Sequence, residues 1–129
     1  MDMKNLKTLT VVFGFSRIAY AAALIASPDH AAGPWLGAAT TSGGGRVAAR
    51  ALAVRDGALG AGVVAAASTG NQAKPWLVAC IASDIVDMTS TWLERDALPK
   101  RSGPATLVVA GAAAAAGVAL AFAEDAARS

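Results

Sequence analysis

Charge is scarce in this chain. Only 16% of its 129 residues are Asp, Glu, Lys or Arg, against about a quarter in an ordinary soluble domain, which is too little to cover a water-facing surface. A single cysteine, Cys80, excludes a disulfide scaffold. With a single histidine, His30, it also falls short of the ligand set of a structural zinc site. The net charge is only +2 and is spread along the chain, so no basic footprint for nucleic acid exists. Strictly alternating, β-branched runs are missing, which disfavours a barrel. What remains is apolar: 55% of the residues are hydrophobic and the mean hydropathy is +0.48. That excludes disorder and points to a membrane protein with the lipid bilayer as its surroundings.

Four apolar stretches stand out, from Leu6 to Ala26, Val47 to Ala67, Trp76 to Leu93 and Ala105 to Ala123. Each approaches the ~20 residues that cross a ~30 Å hydrocarbon core. Ser27-Pro28-Asp29 ends the first stretch, and Gly33-Pro34 and Gly43-Gly44-Gly45 fill the loop that follows. Ser68 to Asn71 closes the second, Pro75 opens the third, and Pro99, Gly103 and Pro104 precede the fourth. The pattern predicts one all-α domain over residues 1–129: a four-transmembrane-helix, antiparallel up-down bundle with both termini on one side. The first stretch is too long for a cleavable signal, and Lys4 and Lys7 beside it favour cytoplasmic termini. A soluble alanine-rich bundle is the alternative. Against it, the Ala105–Ala123 stretch has no charged residue from which to build a wet face.

The informative residues are the ionisable ones inside these stretches: Arg17, Arg50, Arg55, Asp56, Asp84 and Asp87. An unpaired Arg or Asp at a helix centre costs about 2.5–3.5 kcal/mol on insertion scales, and the signs here balance. Arg17, Arg55, Asp56 and Asp84 each lie roughly nine or ten residues into a span, which at ~1.5 Å per residue is near the midplane. Asp84 and Asp87 share a helix face at i, i+3. The pairing expected from phase sets Arg50 or Arg55 against the aspartates, with Arg17 reaching in from the first helix. Tyr20, one turn from Arg17, adds a hydroxyl donor to the same space.

Other features admit blander roles. Gly57, Gly60 and Ala61 give the second span a small-residue face, suited to packing within the bundle or to a homo-oligomer contact. Trp35, Trp76 and Trp92 lie near span ends, where indoles anchor at the interface. His30 is placed in an exposed loop, and Cys80 reads as a packing residue. Gly43-Gly44-Gly45-Arg46 lacks the Lys and Ser/Thr of a phosphate loop, and no cofactor motif is present.

The stretch Arg50-Ala51-Leu52-Ala53-Val54-Arg55-Asp56-Gly57, followed by Ala82-Ser83-Asp84-Ile85-Val86-Asp87, resembles a family of small, uncharacterised bacterial and fungal four-helix membrane proteins. Those share an Arg, an Arg-Asp or Arg-Glu pair with a trailing glycine, and paired aspartates on the third helix. Arg17 and the Ser27-Pro28 stop are similar too. The resemblance implies a membrane bundle with an Arg/Asp core and no established activity.

The functional expectation is a buried polar pocket for a lipophilic small molecule, with acid–base chemistry of the epoxide-hydrolase, isomerase or cyclase kind. Asp84 or Asp87 would be the base, the other carboxyl or Tyr20 the acid, and Arg50 or Arg55 the orienter. The competing expectation is a non-catalytic scaffold or accessory subunit whose Arg–Asp pairs fix helix order.

Overall fold

The computed structural model describes residues 1–129 and is helical throughout, without strands. Its elements are α1 (Met3–Ala26), α2 (Pro28–Leu36), a 3₁₀ turn (Gly37–Thr41), α3 (Gly43–Thr69), α4 (Lys74–Leu93) and α5 (Ser102–Arg128). Local chemistry accounts for most boundaries. Asp2 caps α1 by accepting from the Lys4 N–H. Ser42 does the same for α3 by accepting from the Gly45 N–H at 3.0 Å. Gly70, with φ +76°, ends α3 in the left-handed conformation that favours glycine. Prolines sit in the first turns of α2 and α4.

The four long helices form an antiparallel bundle. α1 packs along α3, α3 meets α4, α4 packs along α5, and α5 returns to α1. Both termini and the α3–α4 turn share one end, where Lys7 Nζ donates to the Ser68 carbonyl and the Ala73 N–H donates to Glu124. One apolar cluster near that end joins Leu6, Val63, Leu77, Cys80 and Leu120. A second, toward the opposite end, joins Ala21, Leu24, Ala32, Ala49 and Ala53. The charged residues lie between the two.

The outside is apolar. Val12, Phe15, Val54, Val86, Val108, Val109 and Phe122 are all exposed, while Arg17, Asp56 and Asp84 are buried. Lipid, not water, suits such a surface. Three helices, α1, α3 and α5, are long and apolar enough to cross a membrane, consistent with an integral membrane protein. The expected fourth span is less clear: α4 has the length, but Lys74, Asp84 and Asp87 dilute its apolar character.

Two further expectations are corrected. The segment after Ser27 is not an open loop: Pro28, preset for a first turn, starts α2, and His30 sits on that helix with Nδ1 2.8 Å from Ser27 Oγ. The triple glycine belongs to the first turn of α3, which therefore starts before Val47.

Two of the three residues on the small-residue face of α3, Gly57 and Gly60, pack against α1. Gly60 and Gly14 meet so closely that a Cβ on Gly60 would lie 2.5 Å from the Gly14 carbonyl oxygen. Gly57 faces the Ala21 methyl, and only Ala61 of the expected oligomer face is exposed. This contact sets the rotation of α3 against α1 and thereby decides which α3 side chains face the interior.

Candidate functional site

Arg17 enters the bundle from α1 and branches. Its Nη1 donates to both oxygens of Asp84 on α4, at 3.0 Å each, and its Nη2 donates to Asp56 Oδ1 on α3 at 3.0 Å. Arg55, on α3, makes a two-pronged contact with Asp87 on α4: Nη1 to Oδ1 at 3.0 Å and Nη2 to Oδ2 at 2.6 Å. The same Nη2 reaches Asp56 Oδ1 at 3.4 Å and closes the chain Asp84–Arg17–Asp56–Arg55–Asp87. Arg17, Asp56 and Asp84 are almost fully buried, whereas the Arg55 side chain keeps 35% of its exposure. The Phe13 ring lies 6.0 Å from the Arg17 guanidinium carbon.

Five of the charged residues singled out by the sequence thus converge, and Arg50 does not. It is exposed and donates from Nε to the Ile25 carbonyl at 3.4 Å. The alternative of Arg50 or Arg55 is resolved by helix rotation: the Gly14–Gly60 contact turns Arg55 toward α4 and leaves Arg50 outside. The sign balance changes with it. Two guanidiniums face three carboxylates, an excess of one negative charge.

The carboxylates are not equivalent. Asp84 and Asp87 each engage both oxygens with an arginine. Asp56 uses Oδ1 for both arginines, and its Oδ2 receives no hydrogen bond from the protein. Asp56, Asp84, Asp87 and Arg17 line one side of a cavity of about 460 Å³. Val109, Ala110 and Ala113 of α5 form an apolar opposite wall, with Tyr20 and Thr106 between. The cavity lies in the seam between α1 and α5, and Tyr20 and Val109, both exposed, face outward along it.

Its end is covered by α2, through a residue the sequence reading assigned to the interface. Trp35 Nε1 donates to Thr91 Oγ1 at 2.8 Å, and Thr91 donates in turn to the Asp87 carbonyl at 2.7 Å, so this indole also lines the cavity. Ser102 Oγ donates to the Trp35 carbonyl at 2.6 Å, tying α2 to α5. Trp35, Ser102 and Thr106 were missed because their helices come together only in three dimensions. A signal for α2 itself was present in Ser27-Pro28-Asp29, which reads as a helix start as well as a stop. Trp76 and Trp92 remain exposed near the helix ends, and Arg95 stacks 4.9 Å over the Trp92 ring.

No family model, curated protein or solved structure matches the chain. The geometry of the site therefore carries the functional reading.

Proposed function

We propose that the cavity admits a lipophilic small molecule from the bilayer and performs acid–base chemistry on it. The observation that carries this reading is the free Oδ2 of Asp56, set in a cavity whose opposite wall is apolar. A carboxylate oxygen with no protein donor is available as a base. The arginines on Oδ1 hold the group in place without occupying its second oxygen. This moves the role of base from Asp84 or Asp87, whose oxygens are engaged, to Asp56.

Epoxide opening illustrates the chemistry. Asp56 Oδ2 accepts a proton from water as the water oxygen bonds to an epoxide carbon. The carbon–oxygen bond breaks, its electron pair stays on the ring oxygen, and that oxygen takes a proton from the Tyr20 hydroxyl. Return of the proton from Asp56 to Tyr20 restores the site and leaves a diol. Positive charge developing at carbon is favoured by the surplus negative charge of the cluster. Isomerisation of a double bond uses the same pair, with the proton removed from one carbon and returned at another.

Native mass spectrometry of the protein extracted from its own membrane, beside Ala113→Phe with its cavity filled, tests occupancy. A lipophilic adduct retained only by the unaltered protein supports the reading; no difference between the two rejects it. With the molecule identified, Asp56→Asn is expected to abolish its conversion.

A second reading, a scaffold held by ion pairs, is favoured by the full engagement of Asp84 and Asp87. It requires that Asp56→Asn change stability and nothing else.

A further inference from the structure

A second cavity lies far from the Arg/Asp cluster, at the bundle end that holds both termini. It measures about 440 Å³ and lies between the first turns of α1, the α3–α4 turn and the last turns of α5. Three cations line it: Lys4, Lys7 and Arg128. The Lys4 ammonium has no acceptor in the protein, and Lys7 has only the Ser68 carbonyl, at 3.2 Å. Arg128 spends Nε on Glu124 Oε1 at 3.3 Å and Nη2 on the Gly70 carbonyl at 3.2 Å. Glu124 is the one acidic side chain in the wall. Its Oε1 also accepts from the Ala73 N–H, while its Oε2 is buried without a donor. Three positive charges against one negative leave an excess of two, in a pocket whose remaining wall includes Met3 and Leu6.

We propose that this cavity binds the headgroup of an anionic glycerophospholipid, with the phosphodiester held by Lys4, Lys7 and Arg128. Three features support it. The ammonium groups of Lys4 and Lys7 retain donors that the protein does not use, and a phosphate oxygen accepts them well. The pocket lies at the ends of the apolar helices α1 and α5, the level at which a bilayer places its headgroups. Met3 and Leu6 supply apolar contact for the start of the acyl chains, which a soluble phosphate ester would leave uncovered. The excess of two positive charges in the wall favours an anionic headgroup such as phosphatidylglycerol over zwitterionic phosphatidylcholine.

The test is lipid retention by the full chain in detergent, read by native mass spectrometry during titration with phosphatidylglycerol, phosphatidylcholine or glycerol phosphate. Phosphatidylglycerol is expected to bind more tightly than phosphatidylcholine. Lys4→Ala, which removes an exposed side chain with no partner and so spares the fold, is expected to weaken phosphatidylglycerol binding on the order of fivefold, the effect of one cation near an anionic surface. Lys4→Ala combined with Lys7→Ala is expected to abolish the preference. Equal retention of the two lipids, or an unchanged preference in the double variant, overturns the proposal. Displacement of the lipid by glycerol phosphate at comparable concentration also overturns it, in favour of a soluble phosphate ester.

Discussion

Arg17 of α1 holds Asp84 of α4 across the diagonal of the bundle, with Nη1 3.0 Å from each carboxylate oxygen. The backbones of α1 and α4 do not pack against each other directly. One side chain therefore spans the space that a layer of apolar residues fills in an ordinary bundle, and the same guanidinium reaches α3 through Asp56. Packing is densest between α1 and α3 and between α4 and α5, and the ion network reinforces the sparser contacts between the two pairs.

Removing that strut is expected to be costly. Arg17→Met leaves Asp56 with only the long 3.4 Å contact from Arg55 and leaves Asp84 with no donor. Breaking a buried pair from one side typically costs about 3–5 kcal/mol. A large fall in the thermal unfolding midpoint in detergent checks this. Arg50→Ala is the control, since its single exposed bond to the Ile25 carbonyl predicts a change within about 0.5 kcal/mol.

The α1–α3 contact makes a separate claim. Gly60→Leu forces side-chain atoms into the Gly14 backbone and is expected to destabilise the fold by about 1–3 kcal/mol. Gly43→Ala, whose added Cβ would meet open space, is expected to be nearly neutral. Equal unfolding midpoints for the two variants would show that α1 and α3 do not approach this closely.

Topology can be read from labelling. Cys80 is fully buried and stays silent toward a membrane-impermeant maleimide. Asn71→Cys lies at the end with the termini, and Asp96→Cys lies beyond α4 at the other. If α4 crosses the bilayer with its neighbours, the two cysteines are labelled from opposite sides. Labelling of both from one side would exclude a spanning α4.

The cover over the charged cavity predicts a further separation. Trp35→Phe removes the donor to Thr91 together with part of the ring's volume, so it is expected to loosen α2 at a cost of at least about 1 kcal/mol. Faster amide exchange confined to residues of α2 is the check. Exchange that rises equally in α3 would mean that Trp35 supports the whole bundle instead.

Much of the site was legible in the sequence because its charges lie at matched depth in the spans. Helix rise alone puts Arg17, Asp56 and Asp84 at one level, and the expense of unpaired charge in an apolar bundle then forces them inward. Rise does not fix rotation. Arg50 and Arg55 stand five residues apart, and local sequence gives no means of choosing between them; the close approach of Gly14 and Gly60 does. The same limit applies to the balance of charge, which is even over the six residues and negative inside the bundle because Arg50 lies outside.

An apolar, four-stretch chain with opposite charges at matched depth was determined by the sequence alone, because composition, span length and the penalty for unpaired charge in an apolar interior are local or additive quantities. Tertiary structure decided that α2 folds over the cavity, that Trp35 belongs to its wall, and that Asp56 rather than Asp84 keeps a free oxygen. Those depend on how helices rotate and close against one another, and a side chain's hydrogen-bond capacity is consumed only when its neighbours arrive.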